Sequence, residues 1–278
     1  MSEVRLEASG AIRELILDAP HRRNALNRSM LAQLRRAIGD VAADTSARAL
    51  IIRGEGKSFC AGADLTSLFG DTTRPVSVLR GELSEVYASF LAIGDLDIPT
   101  ISVVQGAAVG AGANIAFASD FNVCGARGKF GITFADIGLH PGGGATWFLT
   151  RALGPQRAKA AILGGEVIDA ESAVRLGLAL EVAEDPLARA HELAEVYATR
   201  PPELVASMLH CVEVATHSDL DTVLGLESWA QASSVTKPEF QEFQESFKTR
   251  PKGSGHGDAA SAPGGPAYVA DTSPRDRR

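Results

Sequence analysis

Cysteine is scarce in this chain: three in 278 residues, Cys60, Cys124 and Cys211, with no CxxC pair among them. An odd number at wide spacing offers neither a disulfide framework nor a thiolate zinc site, and it suits a reducing compartment. Positive charge is also in deficit, since 27 Lys and Arg against 34 Asp and Glu leave a formal net charge of -7. Nucleic-acid binders ordinarily show a basic face, so that class is set aside. An anionic ligand is not, because a few local Arg or N–H donors suffice for one. The N-terminus starts Met1-Ser2-Glu3 and lacks a basic-then-apolar leader. One uncharged stretch, Ile98 to Ser119, has the length of a membrane span. It holds Pro99, Gln105, Gly106, Gly110, Gly112 and Asn114, and reads instead as a buried strand, turn and helix. A cytoplasmic protein with no membrane or nucleic-acid partner is expected. No repeat at a fixed period is present.

What is there points to an α/β fold. The 45% hydrophobic content is ample for a buried core, and the length fits one large domain, with or without an appendage. Val4–Leu6 and Ile12–Leu17 read as strands around a Ser9-Gly10 turn. Asn27 or Ser29 caps a helix with Met30, Leu31, Leu34, Ile38 and Val41 on one side. Ala49–Ile52 is a compact apolar strand, and 64–75 reads as a mobile loop rich in Gly, Thr, Asp and Pro. Val76, Leu79, Leu83, Val86, Tyr87 and Phe90 mark a second amphipathic helix. Strands follow at Thr100–Val104 and Phe121–Cys124, with a Gly-Ala helix from about Gly110 between them. This alternation gives the fold class. After Ala145 the signals are almost all helical, at 145–152, 155–163, 170–176, 187–199, 202–215, 219–234 and 237–248. Residues 251–278 are poor in apolar side chains and read as a disordered tail.

Four segments could carry chemistry. Ser58 to Leu65 is a run of small residues after a strand, either an ordinary turn or a backbone that approaches a ligand closely. Gly106 to Asn114 leads from a strand into a helix, whose first N–H groups have no intrahelical acceptor. Such donors suit a thioester oxygen that becomes an enolate. A dinucleotide fingerprint is the rival, but Ile115 stands where its third Gly belongs. Phe130-Gly131 and then Gly138 to Gly144 form a second Gly-rich turn before a helix. Finally, Arg22 and Arg23 precede a helix cap, as a solvated pair or as phosphate ligands.

The ordered set P-x-x-x-N-A-L, F-C-A-G-A-D-L, G-x-x-x-G-x-G and F-G…G-L-x-P-G-G-G resembles the crotonase (enoyl-CoA hydratase/isomerase) superfamily over roughly residues 3–250. The resemblance implies a crotonase-like spiral of ββα turns over residues 1–195. It implies a C-terminal helical trimerisation region over 196–250, in a homotrimer or hexamer. The partner it implies is an acyl-CoA thioester, with coenzyme A entering as part of the substrate and no cofactor held permanently. Oxyanion donors would be the N–H groups of Ala63 and Ala111. Ala61, Asp64 and Leu65 would line the adenine pocket, with Arg22, Arg23 and Ala25 near the phosphates and Phe247 and Arg250 closing the pocket from a neighbouring subunit.

The departure from the family matters as much. Asn114 and Phe134 stand where hydratases carry two glutamates. Activating water and protonating the α-carbon needs both acids. Asp136 lies two residues from the second missing acid, and on an extended strand it would point to the same side, as a base or as a surface acid. His140 is a loop histidine or a weaker candidate, and Cys60 a small buried apolar group. Two functions therefore stand: an acyl-CoA-processing enzyme with doubtful standard hydratase activity, and a non-catalytic acyl-CoA-binding protein of lipid metabolism.

Overall fold

The computed structural model describes the backbone of residues 2–249 and side chains through Ser246. The proposed tail, Arg250 and the Phe247 side chain lie outside the described residues.

Apolar runs that are short and β-branched become the centre of a six-stranded sheet. Its order is β1 (Val4–Ser9), β2 (Ile12–Leu17), β3 (Ala49–Gly54), β4 (Thr100–Val104), β6 (Phe121–Gly125) and β9 (Glu181–Ala183). The first pair is antiparallel across the Ser9-Gly10 turn and the rest are parallel. Parallel strands buried on both faces need near-continuous apolar sequence, which Ala49–Ile52 supplies and Ile101–Val104 supplies apart from Ser102, whose hydroxyl pairs with that of Ser119 at 2.8 Å. Leu50, Ile52, Val104 and Cys124 face one core, under α1 (Arg28–Ala43) and α3 (Val76–Leu91). Ile51, Ile101, Val103 and Val123 face the other, against Ala190, Leu193 and Ala194 of α7 (Pro186–Ala198).

A second, three-stranded sheet runs β5 (Ala107–Val109), β7 (Lys129–Gly131) and β8 (Val167–Asp169). Successive strands go to different sheets: β4 and β6 to the large one, β5 and β7 to the small one. The connecting helices are α4 (Ala111–Phe117), α5 (Ala145–Gly164) and α6 (Ala170–Arg175). The β4-β5-α4 and β6-β7-α5 turns each add a strand to both layers, as in the expected spiral. Asn27 is the α1 cap, its Oδ1 accepting from Met30 N–H at 2.8 Å. Gly154, with φ 73° ahead of Pro155, breaks α5 into the two helices read from sequence.

Several expectations are corrected. The loop 64–75 contains α2 (Leu65–Phe69), because the Asp64 side chain accepts from Ser67 N–H and starts a turn that composition hides. Val76 does not join the buried face of α3; it is 81% exposed. The strands β5, β7, β8 and β9 were not expected; at three residues each they are too short to show a period.

The last helices, α8 (Pro202–Ala215), α9 (Leu220–Val235) and α10 (Pro238–Thr249), follow the expected boundaries closely. No residue of α8 or α9 is fully buried, although both are apolar. Among the described residues no helix is long and apolar enough to cross a membrane.

Candidate active site

The site forms where segment 58–65 runs between the Arg23–Leu26 turn and β5. Cys60 N–H donates to Ala107 O at 3.1 Å and Val109 N–H to Cys60 O at 2.9 Å, so residue 60 bridges Ala108. Two residues on, Leu26 takes the other edge: its N–H donates to Gly62 O at 2.7 Å, and Asp64 N–H donates to Leu26 O at 3.0 Å. A parallel bridge of this kind leaves the N–H of its middle residue, Ala63, directed away from Leu26. Ala111 is the first residue of α4, where an N–H has no helical acceptor. Among the described residues neither of these two N–H groups has a backbone acceptor.

The two donors are neighbours because Gly62 permits it. A β-carbon at residue 62 would stand 2.5 Å from Val109 O and 3.7 Å from the Ala111 nitrogen. Gly112 packs against Cys60 O with the same lack of room. Asn24 holds the opposite wall: its Nδ2 reaches Glu55 O, Ser58 O and Phe59 O at 3.0–3.1 Å, and its Oδ1 accepts from Ala19 N–H at 2.9 Å. Cys60 is fully buried, and burial pushes its thiol up to about 12, so it is the expected inert group.

The arginine pair divides. Arg22 is committed inward, to the Glu3 carboxylate and to Ala25 O at 2.9 Å. Arg23 turns through a left-handed backbone (φ 57°), its carbonyl accepting from Ala61 N–H, and its side chain is exposed. Ala25, Ala61 and Asp64 are half-buried nearby and Leu65 is exposed. The Asp64 carboxylate is occupied as the α2 cap.

Asn114 is buried, and its Nδ2 donates to Gly142 O at 2.7 Å. The ring of Phe134 lies 3.6 Å from where a β-carbon of Gly110 would stand, so an apolar wall covers the α4 entrance. Asp136 does not join it. Residues Ala135–Ile137 form a 3-10 turn instead of an extended strand. That turn rotates residue 136 off the Phe134 side, and its carboxylate lies over Gly165 at the end of α5. His140 is exposed with Nδ1 2.7 Å from Pro141 O. Sequence reasoning placed Tyr87 only in the apolar stripe of α3, yet its hydroxyl meets the Gly142-Gly143 turn. The one signal for it was a phenol amid aliphatic neighbours.

The enoyl-CoA hydratase/isomerase family profile matches residues 7–254. A Mycobacterium tuberculosis protein described as a probable enoyl-CoA hydratase is 46% identical over 235 residues, covering 81% of this chain and 90% of its own. The 1,2-epoxyphenylacetyl-CoA isomerase of Escherichia coli is 33% identical over 236 residues, covering 84% and 90%. Among solved structures, an enoyl-CoA hydratase from Polaromonas sp. superposes with TM-score 0.82 at 29% identity, covering 88% of this chain and 96% of that one. A Thermobifida fusca structure in complex with CoA gives 0.77 at 27% identity, covering 84% and 93%. Fold, ordered motifs and relatives agree, and the chain belongs to the enoyl-CoA hydratase/isomerase family.

Proposed function

We propose that this chain binds an acyl-CoA thioester and polarises its carbonyl with the N–H groups of Ala63 and Ala111. The observation that carries the reading is that these two donors are neighbours beside Gly62 and, among the described residues, lack backbone acceptors. Preorganised N–H groups of this kind stabilise charge that develops on a carbonyl oxygen, here a thioester enolate. CoA lies along segment 61–65, and Arg23 rather than Arg22 meets the phosphates, because the Arg22 guanidinium is already paired. The C-terminal helices join copies of the chain into a trimer or hexamer in the cytoplasm.

Standard hydratase chemistry is weak in this reading. A carboxamide such as Asn114 can hold a water but cannot accept its proton, Phe134 can do neither, and Asp136 faces away over Gly165. Those same observations favour the second reading, an acyl-CoA-binding protein that retains the donors without the chemistry. Melting curves with saturated and unsaturated acyl-CoAs test the binding claim. Ligand at about 100 times its dissociation constant adds roughly 2.7 kcal/mol to stability. A shift with NAD and none with any acyl-CoA would sink it. Crotonyl-CoA hydration is expected at least ~100-fold below that of a relative carrying both glutamates, since each acid contributes about 10²–10⁴.

A further inference from the structure

The strap of chain between the donor segment and α3 is held down by charge more than by packing. It comprises residues 65–75 and begins directly after Ala63 and Asp64. Leu68 alone in it is buried, with Phe69 packed beside the core. Leu65 at one end, and Val76 just past the other, are exposed. Inside the strap, polar groups close on themselves. Asp64 caps α2, the Asp71 carboxylate accepts from Thr73 N–H at 3.0 Å, and a β-carbon on Gly70 would stand 2.5 Å from Thr66 O.

Both ends of the strap meet one carboxylate. Glu82 of α3 accepts from Arg28 Nη2 at 2.9 Å and from Arg74 Nη1. Arg74 stands at the far end of the strap. Arg28 opens α1 and reaches the near end, where its Nε donates to Ser67 O at 3.3 Å and its N–H to Ser67 Oγ at 3.4 Å. Two residues before Arg28, Leu26 brackets Ala63. Glu82 therefore gathers α1, α2 and the end of the strap at one point close to the donor segment. The Arg28 and Arg74 guanidinium groups hold its carboxyl below the usual range, so it is ionised near pH 7.

All three side chains keep contact with solvent: Arg28 is 54% exposed, Glu82 30% and Arg74 25%. Ion pairs of this kind are individually weak and are screened by salt. Segments with few buried contacts are also the ones that open locally. We propose that Glu82 is the latch of this strap: through Arg28 and Arg74 it holds residues 65–75 shut beside the thioester site, and ligand enters and leaves when the latch lets go. The inference rests on the acyl-CoA reading above. Glu82 is a positioning residue, because it acts through the two arginines rather than on the ligand.

Hydrogen exchange on the full chain reads the strap without any ligand. Glu82→Gln keeps the size of the side chain and removes its charge. Amides of residues 66–74 are expected to exchange about fivefold faster in that variant, with the two sheets unchanged. Raising NaCl from about 50 mM to about 500 mM should speed the same amides in the parent and not in the variant. Arg28→Gln should act in the same direction, and the double variant should be no faster than Glu82→Gln, since both break one interaction. Glu85→Gln, which removes a neighbouring charge on α3, should change nothing. Surface plasmon resonance with butyryl-CoA tests the ligand side: dissociation should quicken by a similar factor in Glu82→Gln. Unchanged strap exchange in Glu82→Gln would overturn the proposal. Faster exchange throughout the chain, the mark of a merely structural role, would overturn it too. So would a loosened strap that releases butyryl-CoA at the parent's rate. If neither butyryl-CoA nor longer acyl-CoAs bind the parent, the acyl-CoA reading falls and the latch with it.

Discussion

At the scale of single residues, the candidate site leans on Asn24 more than on any charged group. Its side chain ties four backbone groups from three segments together, while its own φ of 57° is one that asparagine tolerates better than most residues. Asn24→Ala leaves those buried groups unpaired and strains the backbone. It is expected to cost about 2–4 kcal/mol. Asn24→Gly relieves the strain but not the lost bonds, and should recover only part of that. Denaturant titration of parent and variants at matched concentration checks this; a loss under about 0.5 kcal/mol, the range of ordinary surface substitutions, would remove Asn24 from its structural role. The sequence motif around this residue was readable as a family resemblance, but its load was not. Nothing in an N-A-L triplet says that the amide reaches residues 55, 58 and 59.

At the scale of elements, what was legible depended on length and on local caps. The α1 helix, with 16 residues and a strong apolar side, was readable from spacing. Four strands of three residues were not, since a period of two needs more than one repeat to show. The extended strand that would have put Asp136 on the side of residue 134 is absent for a related reason. Which side a residue faces depends on whether its segment is extended or turned, and a short Phe-Ala-Asp-Ile stretch does not reveal that. The glycine-rich entrance to α4 was legible, and it carries the most direct test of the oxyanion donors. Ala111→Pro removes the N–H at a first-turn position that tolerates proline. Ala111→Val adds bulk and keeps the donor. In an enzyme the proline variant should lose about 2.7–4 kcal/mol of transition-state stabilisation. In a pure binder the loss should be nearer ~1 kcal/mol of affinity. Circular dichroism confirms folding first. A folded proline variant that binds and turns over like the parent would remove Ala111 from the site.

For the whole molecule, the proposed assembly rests on the C-terminal helices. Met208 is 56% exposed, Val212 67%, Leu224 50% and Trp229 80%, on two helices that bury no residue fully. Apolar surface of that extent marks an interaction face. Sedimentation should find a trimer or hexamer, and Val212→Glu with Trp229→Glu should shift it to smaller species at the same concentration. A parent chain that sediments as a monomer at micromolar concentration would contradict the assembly. The two sheets carry a consequence of another kind. The large sheet reads β1-β2-β3-β4-β6-β9 and the small one β5-β7-β8, so in both the spatial order follows the chain order. Each new strand joins at an open edge, and none has to slip between two that are already paired. A ribosome releasing this chain from its N-terminus can therefore let both layers grow in the order they are made. No early strand has to wait for a late neighbour to fill a gap.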